Sequence, residues 1–370
     1  MNSGSNPLLE LHALGQRVWL DNLSRTLLRE GTLERLIRED GLAGVTSNPT
    51  IFHKAISGSP HYRDELAVLR RDARLTPEAR YECLAIPDIQ AACDLLLPLH
   101  RQTRGEDGYV SLEVSPALAN DAAQTVAAAR RLHAMVAREN ALIKVPATPP
   151  GLLAIEELIG LGISINVTLM FSLKHVNGVA RAYLRGLERW VAGGGEPRRI
   201  KSVASLFLSR VDTLVDQKLE SLGAPADLRG KAGVALARLA YQEYKRTFKA
   251  QGPFTALAAR GARPQHMLWA STGTKNPAYS DLLYVEPLIG PETVNTMPDA
   301  TLAAFRDHGR AALTLETGID DARAHFERLA RLGVDMNDVG DTLQLEGVKL
   351  FVQSFDELLA LMAQPAAATA

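Results

Sequence analysis

The chain predicts a protein of the α/β class, a single closed (β/α)8 TIM barrel with extra helices, including a helical extension at the carboxyl end. Three observations predict it. Eight short β-type runs alternate with amphipathic helical stretches. Several of those runs carry polar residues on one face only, and the polar residues fall late in their runs. Alternating strands and helices pair in parallel through crossovers, and eight such units point to closure into a barrel. An open, doubly wound sheet is the alternative arrangement of the same units.

The expected strands are Arg17–Asp21, Ala43–Ser47, Tyr109–Ser115, Leu142–Pro146, Ile163–Thr168, Ile200–Ser205, Met267–Ser271 and Leu283–Pro287. Between them, Asp121–Glu139, Leu173–Ala192 and Asp227–Lys249 repeat apolar residues at three- and four-residue intervals, with Arg, Lys and Glu opposite. Turn chemistry supports the boundaries: Gly105-Glu106-Asp107-Gly108 precedes the third run and Gly193-Gly194-Gly195-Glu196-Pro197 the sixth. Ser57–Arg101 is long for one connection and predicts more than one helix. Ile319–Leu332 and Val348–Met362 are expected to pack outside the barrel or over its mouth.

A barrel with insertions absorbs 370 residues in one core, and no repeat or hinge linker divides the chain. One domain over 1–370 is therefore expected, with carboxyl-terminal helices over about 300–363. The small, Ala-rich tail at 364–370 is expected to fray.

Bulk properties narrow the function. The composition is 46% hydrophobic and 22% charged, with a formal net charge of -1. Without a basic excess, neither nucleic acid nor a membrane surface is an expected partner. Two cysteines, Cys83 and Cys93, make no disulfide framework and suit a reducing cytosol. The amino terminus lacks a basic patch followed by an apolar core, and no apolar run approaches the ~20 residues that span a bilayer. Cytoplasmic location is the expectation; the oligomeric state, a homodimer included, stays open.

A parallel strand covered on both faces should be almost wholly apolar. In Ile163–Thr168 one face is Ile and Val while the other is Ser, Asn and Thr. In Tyr109–Val114, Ser111 and Glu113 share a face opposite Val110, Leu112 and Val114. Arg17 and Asp21 likewise oppose Val18 and Leu20. In a barrel one face meets the helices and the other the lumen, so the polar set points inward. Asp21, Asn48, Glu113, Lys144, Asn166, Thr168, Ser205 and Ser271 come from the ends of seven successive strands or the turns after them. That is the face on which barrel enzymes build their sites.

Lys144 is the most informative of these. It interrupts the apolar strand Ala141-Leu142-Ile143-Lys144-Val145-Pro146. An ammonium there is either paired, with Glu113 on the adjacent strand, or driven towards its neutral form. A neutral amine attacks ketones and forms Schiff bases. The two readings are compatible, because a neighbouring carboxylate can shuttle protons during imine formation. Metal-dependent chemistry would need clustered histidines, but no two of the nine have ligand spacing. No metal site is expected. There is no GxGxxG, P-loop or G-x-S-x-G motif either.

Four blocks now carry a resemblance. Val45-Thr46-Ser47-Asn48-Pro49-Thr50-Ile51-Phe52, Val110-Ser111-Leu112-Glu113-Val114, Leu142-Ile143-Lys144-Val145-Pro146-Ala147-Thr148 and Ile165-Asn166-Val167-Thr168-Leu169-Met170-Phe171-Ser172 resemble the signature blocks of the transaldolase family, in the family's order. The likeness runs from about Val18 to Pro298 and is greatest to the longer bacterial branch.

The resemblance implies transfer of a dihydroxyacetone unit from sedoheptulose 7-phosphate or fructose 6-phosphate to glyceraldehyde 3-phosphate or erythrose 4-phosphate, a step of the non-oxidative pentose phosphate pathway. Sugar phosphates would be the partners, and no cofactor is required because the protonated imine is the electron sink. Lys144 would form the Schiff base, Glu113 would move protons through a water positioned by Thr168, and Asp21 would take the C4 hydroxyl proton. Asn48 and Asn166 would hold the dihydroxyacetone hydroxyls; Ser205 and Arg210 would face the acceptor and its phosphate, with Ser271 lining the same end. Where the better-known branch carries a phosphate-binding arginine, this chain offers Lys275, a point charge in place of a bidentate fork. Two rivals remain: an aldolase releasing free dihydroxyacetone, which a tyrosine at the Phe207 position would favour, and a non-catalytic sugar-phosphate binder.

Overall fold

The computed structural model describes residues 6–249 and 251–365. Most of the tail expected to fray therefore lies outside the described residues. Eight parallel strands close into a barrel in sequence order. They are β1 (Gln16–Leu20), β2 (Gly44–Thr46), β3 (Tyr109–Glu113), β4 (Ala141–Pro146), β5 (Ile165–Met170), β6 (Ser202–Phe207), β7 (His266–Ala270) and β8 (Thr293–Met297). β1 closes the ring by pairing with both β2 and β8.

Seven strands fall where the sequence placed them, and the eighth does not. Leu283–Pro287 is turn leading into a short 3-10 segment, Glu286–Leu288, and the strand is Thr293–Met297. Pro287 cannot donate to a ladder. The true strand, Thr-Val-Asn-Thr-Met, is polar enough to read as loop. Its Asn295 is nevertheless buried and donates to the Tyr284 carbonyl at 3.0 Å, so the mispredicted segment packs behind the strand it was mistaken for.

The lumen is filled in layers, as register requires. Thr46, Ser111 and Leu142 stand at one level; Glu113, Lys144 and Asn166 stand one step nearer the carboxyl end. Trp19 fills the interior below them. A Cβ on Gly44 would lie 2.5 Å from the indole, so only glycine admits the ring there. At the amino end the lumen is closed by ion pairs: Arg17 with Asp107 at 2.9 Å, and Lys201 and Arg263 with Glu106 at 3.1 and 3.0 Å.

Helical segments follow the amphipathic stretches closely. Leu173–Ala192 forms as expected, and the long connection after β2 holds helices at Pro49–Gly58, Arg63–Arg71 and Pro77–Gln102. The last helix is longer than expected, running from Met336 to Ala363. It crosses the carboxyl-terminal mouth instead of packing only outside. Gln344 donates to the carbonyls of Ala147 and Leu169, both at 3.0 Å, and Ser354 bonds Thr50 at 2.9 Å. Its final carbonyls are held by Arg70 and Arg80, cations at the negative end of the helix dipole.

Candidate active site

Each strand or following turn from β1 to β7 delivers a residue to the carboxyl end. Lys144 and Glu113, paired in register, are both buried, and Nζ lies 3.8 Å from Oε2. The lysine also donates to the Ser47 carbonyl at 2.8 Å. Since β2 and β4 are not neighbours, that bond crosses the lumen.

Burial pushes the Glu113 carboxyl up to about 7 against the opposing pull of Lys144, with Asp21 adding to the rise and Thr168 reducing it. The Thr168 hydroxyl is close enough to Glu113 to hold its carboxyl down, yet neither that hydroxyl nor Oε2 of Glu113, both buried, makes a hydrogen bond of normal geometry. Buried polar atoms normally find partners, so two unsatisfied oxygens near one amine mark a place for an oxygen-bearing ligand or a water. Asp21, just beyond β1, accepts from Thr46 at 2.7 Å. Desolvation raises its pKa, while Lys144 and Lys275 pull it down. The lysine and both carboxylates thus share one electrostatic neighbourhood.

The other expected residues separate into two groups. Asn166 is fully buried; its NH2 donates to Ser111 Oγ at 3.1 Å, and its carbonyl accepts from Ser205 at 2.7 Å. The hydroxyl proton of Ser205 is therefore committed to Asn166, and this serine orients the amide. Asn48 caps the helix Pro49–Gly58, its Oδ1 accepting from the Ile51 N–H at 2.9 Å, which leaves its NH2 as a donor. Asn48, Asn166, Ser205 and Thr168 surround the lysine–carboxylate pair.

Arg210, Ser271 and Lys275 form the outer group. Arg210 is half-buried beside the Phe351 ring of the mouth-crossing helix, 6.0 Å from its centroid. Desolvation lowers its pKa, and it makes no ion pair among the described residues. Ser271 lies just after β7 at φ 55, and its hydroxyl meets that of Ser209 at 2.8 Å. Lys275 is exposed, yet its charge reaches Asp21. Arg210 and Lys275, neither with an ion-pair partner among the described residues, can hold a phosphate at the rim of the buried centre.

Leu169 carries further backbone strain, at φ 57 where β5 shifts register against β6. A non-glycine residue there costs ~1–2 kcal/mol. Such bulges re-aim side chains next to active sites, and this one follows Thr168 directly.

Sequence reasoning assigned no role to Thr46, Ser111, Ser47 or Gln344. Ser111 was visible as an inward polar residue. The Ser47 contribution is a backbone carbonyl, and the Gln344 partners lie 197 and 175 residues away, so neither left a local signal. Among the described residues no group of histidines, cysteines and carboxylates could hold a metal ion.

A closed barrel with one buried amine facing a carboxylate of raised pKa, and a second carboxylate beside them, defines a barrel enzyme equipped for carbonyl chemistry. The chain belongs to the transaldolase/fructose-6-phosphate aldolase family, whose description it matches over residues 18–362. It is 58% identical over 354 residues to the transaldolase of Thiobacillus denitrificans, covering 95% of this chain and 98% of that one. Identity to the transaldolase of Neisseria gonorrhoeae is 50% over 353 residues, again 95% and 98% of the two chains. For that of Frankia alni it is 47% over 363 residues, 97% of each.

Proposed function

We propose that this protein is a transaldolase that moves a dihydroxyacetone unit from a ketose phosphate, sedoheptulose 7-phosphate or fructose 6-phosphate, to glyceraldehyde 3-phosphate or erythrose 4-phosphate. Relatives bearing that name over nearly the whole chain support the reading. The observation that carries the mechanism is the buried Lys144–Glu113 pair with Asp21 alongside.

Lys144 attacks the C2 carbonyl. Glu113, through a water held by Thr168, delivers the proton with which the carbinolamine hydroxyl leaves as water. A carboxyl near 7 can both give and take a proton at neutral pH. Asp21 then accepts the C4 hydroxyl proton as the C3–C4 bond breaks; the aldose phosphate departs, and the bond's electrons remain on the three-carbon unit as an enamine. The acceptor aldehyde reverses these steps, and hydrolysis of the new imine frees Lys144. Asn48 and Asn166 hold the dihydroxyacetone hydroxyls, Ser205 and Ser111 fixing the Asn166 amide. Arg210 and Lys275 take the phosphate, with Ser271 at the same rim. One barrel domain in the cytoplasm is the setting this function implies. No helix among the described residues is long and apolar enough to cross a membrane.

Incubation with fructose 6-phosphate and borohydride, followed by peptide mass spectrometry, tests the reading. A reduced three-carbon adduct on Lys144 is expected, and an unmodified Lys144 would overturn it. Phe207, packed against Phe171 at 5.3 Å between centroids, offers no hydroxyl to activate water. Release of free dihydroxyacetone without an acceptor should therefore be a minor activity.

A further inference from the structure

The amino-terminal end of the barrel carries a second feature that the transfer chemistry does not use. A cavity of about 750 Å3 opens between the starts of β3, β4 and β5 and the segment before β6. Tyr109 and Ala141 line it, at the opposite ends of the strands that carry Glu113 and Lys144. From Ala141 to Lys144 is three residues, or ~10 Å along the strand.

Its charge is one-sided. Arg101, Arg104, Arg138, Arg198, Arg199 and Arg263 line it, and with the lining Glu139 and Glu196 and the paired Asp94 and Glu106, six cations meet four carboxylates and leave a formal +2. Three of the six are already paired: Arg101 with Glu139 at 3.1 Å, Arg138 with Asp94 at 2.6 Å, and Arg263 with Glu106 at 3.0 Å. Arg104, Arg198 and Arg199 have no ion-pair partner among the described residues. The whole chain carries only a net -1, so this concentration of positive charge is local.

The site is also built. Arg263, only 7% exposed, donates to the Arg104 carbonyl. Arg104 itself sits at φ 55, a conformation that non-glycine residues enter at a cost. A buried guanidinium thus holds a strained turn that presents a free one. Opposite, Pro197 opens the 3-10 turn that carries Arg198 and Arg199. Trp190 forms part of the wall, its indole N–H bonded to the Glu196 carbonyl at 3.0 Å and its ring packed against Gly195 and Gly162, which leave no room for a Cβ there.

We propose that this cavity binds a small organic anion with two or more phosphate groups, at a site separate from the sugar-phosphate centre. Guanidinium forks match phosphate oxygens bidentately, and three unpaired ones around one cavity repel each other until an anion arrives. Nucleoside diphosphates and sugar bisphosphates share this chemistry, and Trp190 in the wall makes occupancy visible by fluorescence.

Calorimetric titration with tripolyphosphate, ADP and a sugar bisphosphate, each with saturating fructose 6-phosphate present, tests the proposal. One-to-one binding is expected, weakened at least about tenfold in Arg104→Ala/Arg198→Ala/Arg199→Ala and unchanged in Arg210→Ala. Tighter binding of ADP than of tripolyphosphate identifies a base-reading site; a preference for the bisphosphate identifies a sugar-reading one. Of the three tryptophans, Trp19 and Trp269 are buried, so tripolyphosphate should change a fluorescence signal that Trp190→Phe removes. The triple variant should keep the parent's turnover, since none of its positions touches the catalytic end. Absence of binding, equal affinity in the triple variant, or displacement by fructose 6-phosphate would each overturn the proposal.

Discussion

Glu113 and Lys144 stand opposite each other in register on neighbouring strands, with Oε2 and Nζ 3.8 Å apart and both side chains only 6% exposed. Neither can leave the other's influence without unfolding the barrel end. The carboxyl rises to about 7 despite the adjacent lysine because desolvation outweighs the attraction. A buried pair of this kind is weak support for stability, since desolvating two ions offsets their mutual gain. In the mechanism we propose, its value is in proton transfer near neutral pH.

The direction in which the Glu113 carboxyl is moved sets a pH dependence of stability. The folded value lies above the ordinary 4.5, so the proton is held more tightly in the fold than in the unfolded chain. The stabilisation from this group is complete below 4.5 and is lost as pH rises from there to about 7. Urea unfolding of Glu113→Gln across that window should show a flatter decline than the parent. The variant should lose ~10²–10⁴-fold in kcat, along with the kinetic inflection near 7. An inflection that persists would assign it to another group.

Asp21→Asn separates imine formation from carbon–carbon cleavage. The amine and Glu113 remain, so fructose 6-phosphate should still condense with Lys144. Without a base for the C4 hydroxyl, cleavage should slow by ~10²–10⁴-fold. Borohydride should then trap the intact six-carbon phosphate in place of the three-carbon fragment, a difference that mass spectrometry reads directly.

Ser205→Ala removes the donor to Asn166 Oδ1 and leaves a buried acceptor unsatisfied, at a cost of ~1–3 kcal/mol. Denaturant unfolding should register that loss. Because Asn166 would lose its orientation while keeping its place, the KM for the ketose should rise more than kcat falls. Unchanged stability would show that the amide finds another donor.

Gly340→Ala tests how the last helix sits on the mouth. A Cβ at Gly340 would lie 2.6 Å from the Ser172 Cβ, and the helix must shift to admit it. Overpacking of this kind costs ~1–3 kcal/mol. Faster amide exchange in residues 336–363, with strand amides unaffected, is the expected pattern, together with a raised KM if Arg210 moves with Phe351. Unchanged exchange in that helix would show that the contact is not what seats it.

Much of the barrel was legible because its signals are local. Alternation in Tyr109–Glu113 and Ile165–Met170 reports which face meets the helices, and the lysine in an apolar strand marks itself. β8 escaped because Asn295 and two threonines give it loop composition; only its buried hydrogen bonds make that composition acceptable in a strand. Among the site residues, Glu113, Lys144, Asn166 and Thr168 were readable from strand position alone.

The sequence by itself determined the strand faces, the order of the polar residues and the inward lysine, since those depend on a two-residue period and on neighbours along the chain. Only the tertiary structure decided that Ser205 serves Asn166, that a Ser47 carbonyl meets Lys144 across the lumen, and that Gln344 ties the last helix to β4 and β5. Those bonds join residues 39, 97 and up to 197 positions apart. Partners at such separations are chosen by barrel closure, which brings non-neighbouring strands within hydrogen-bond reach and leaves no periodic trace in the chain.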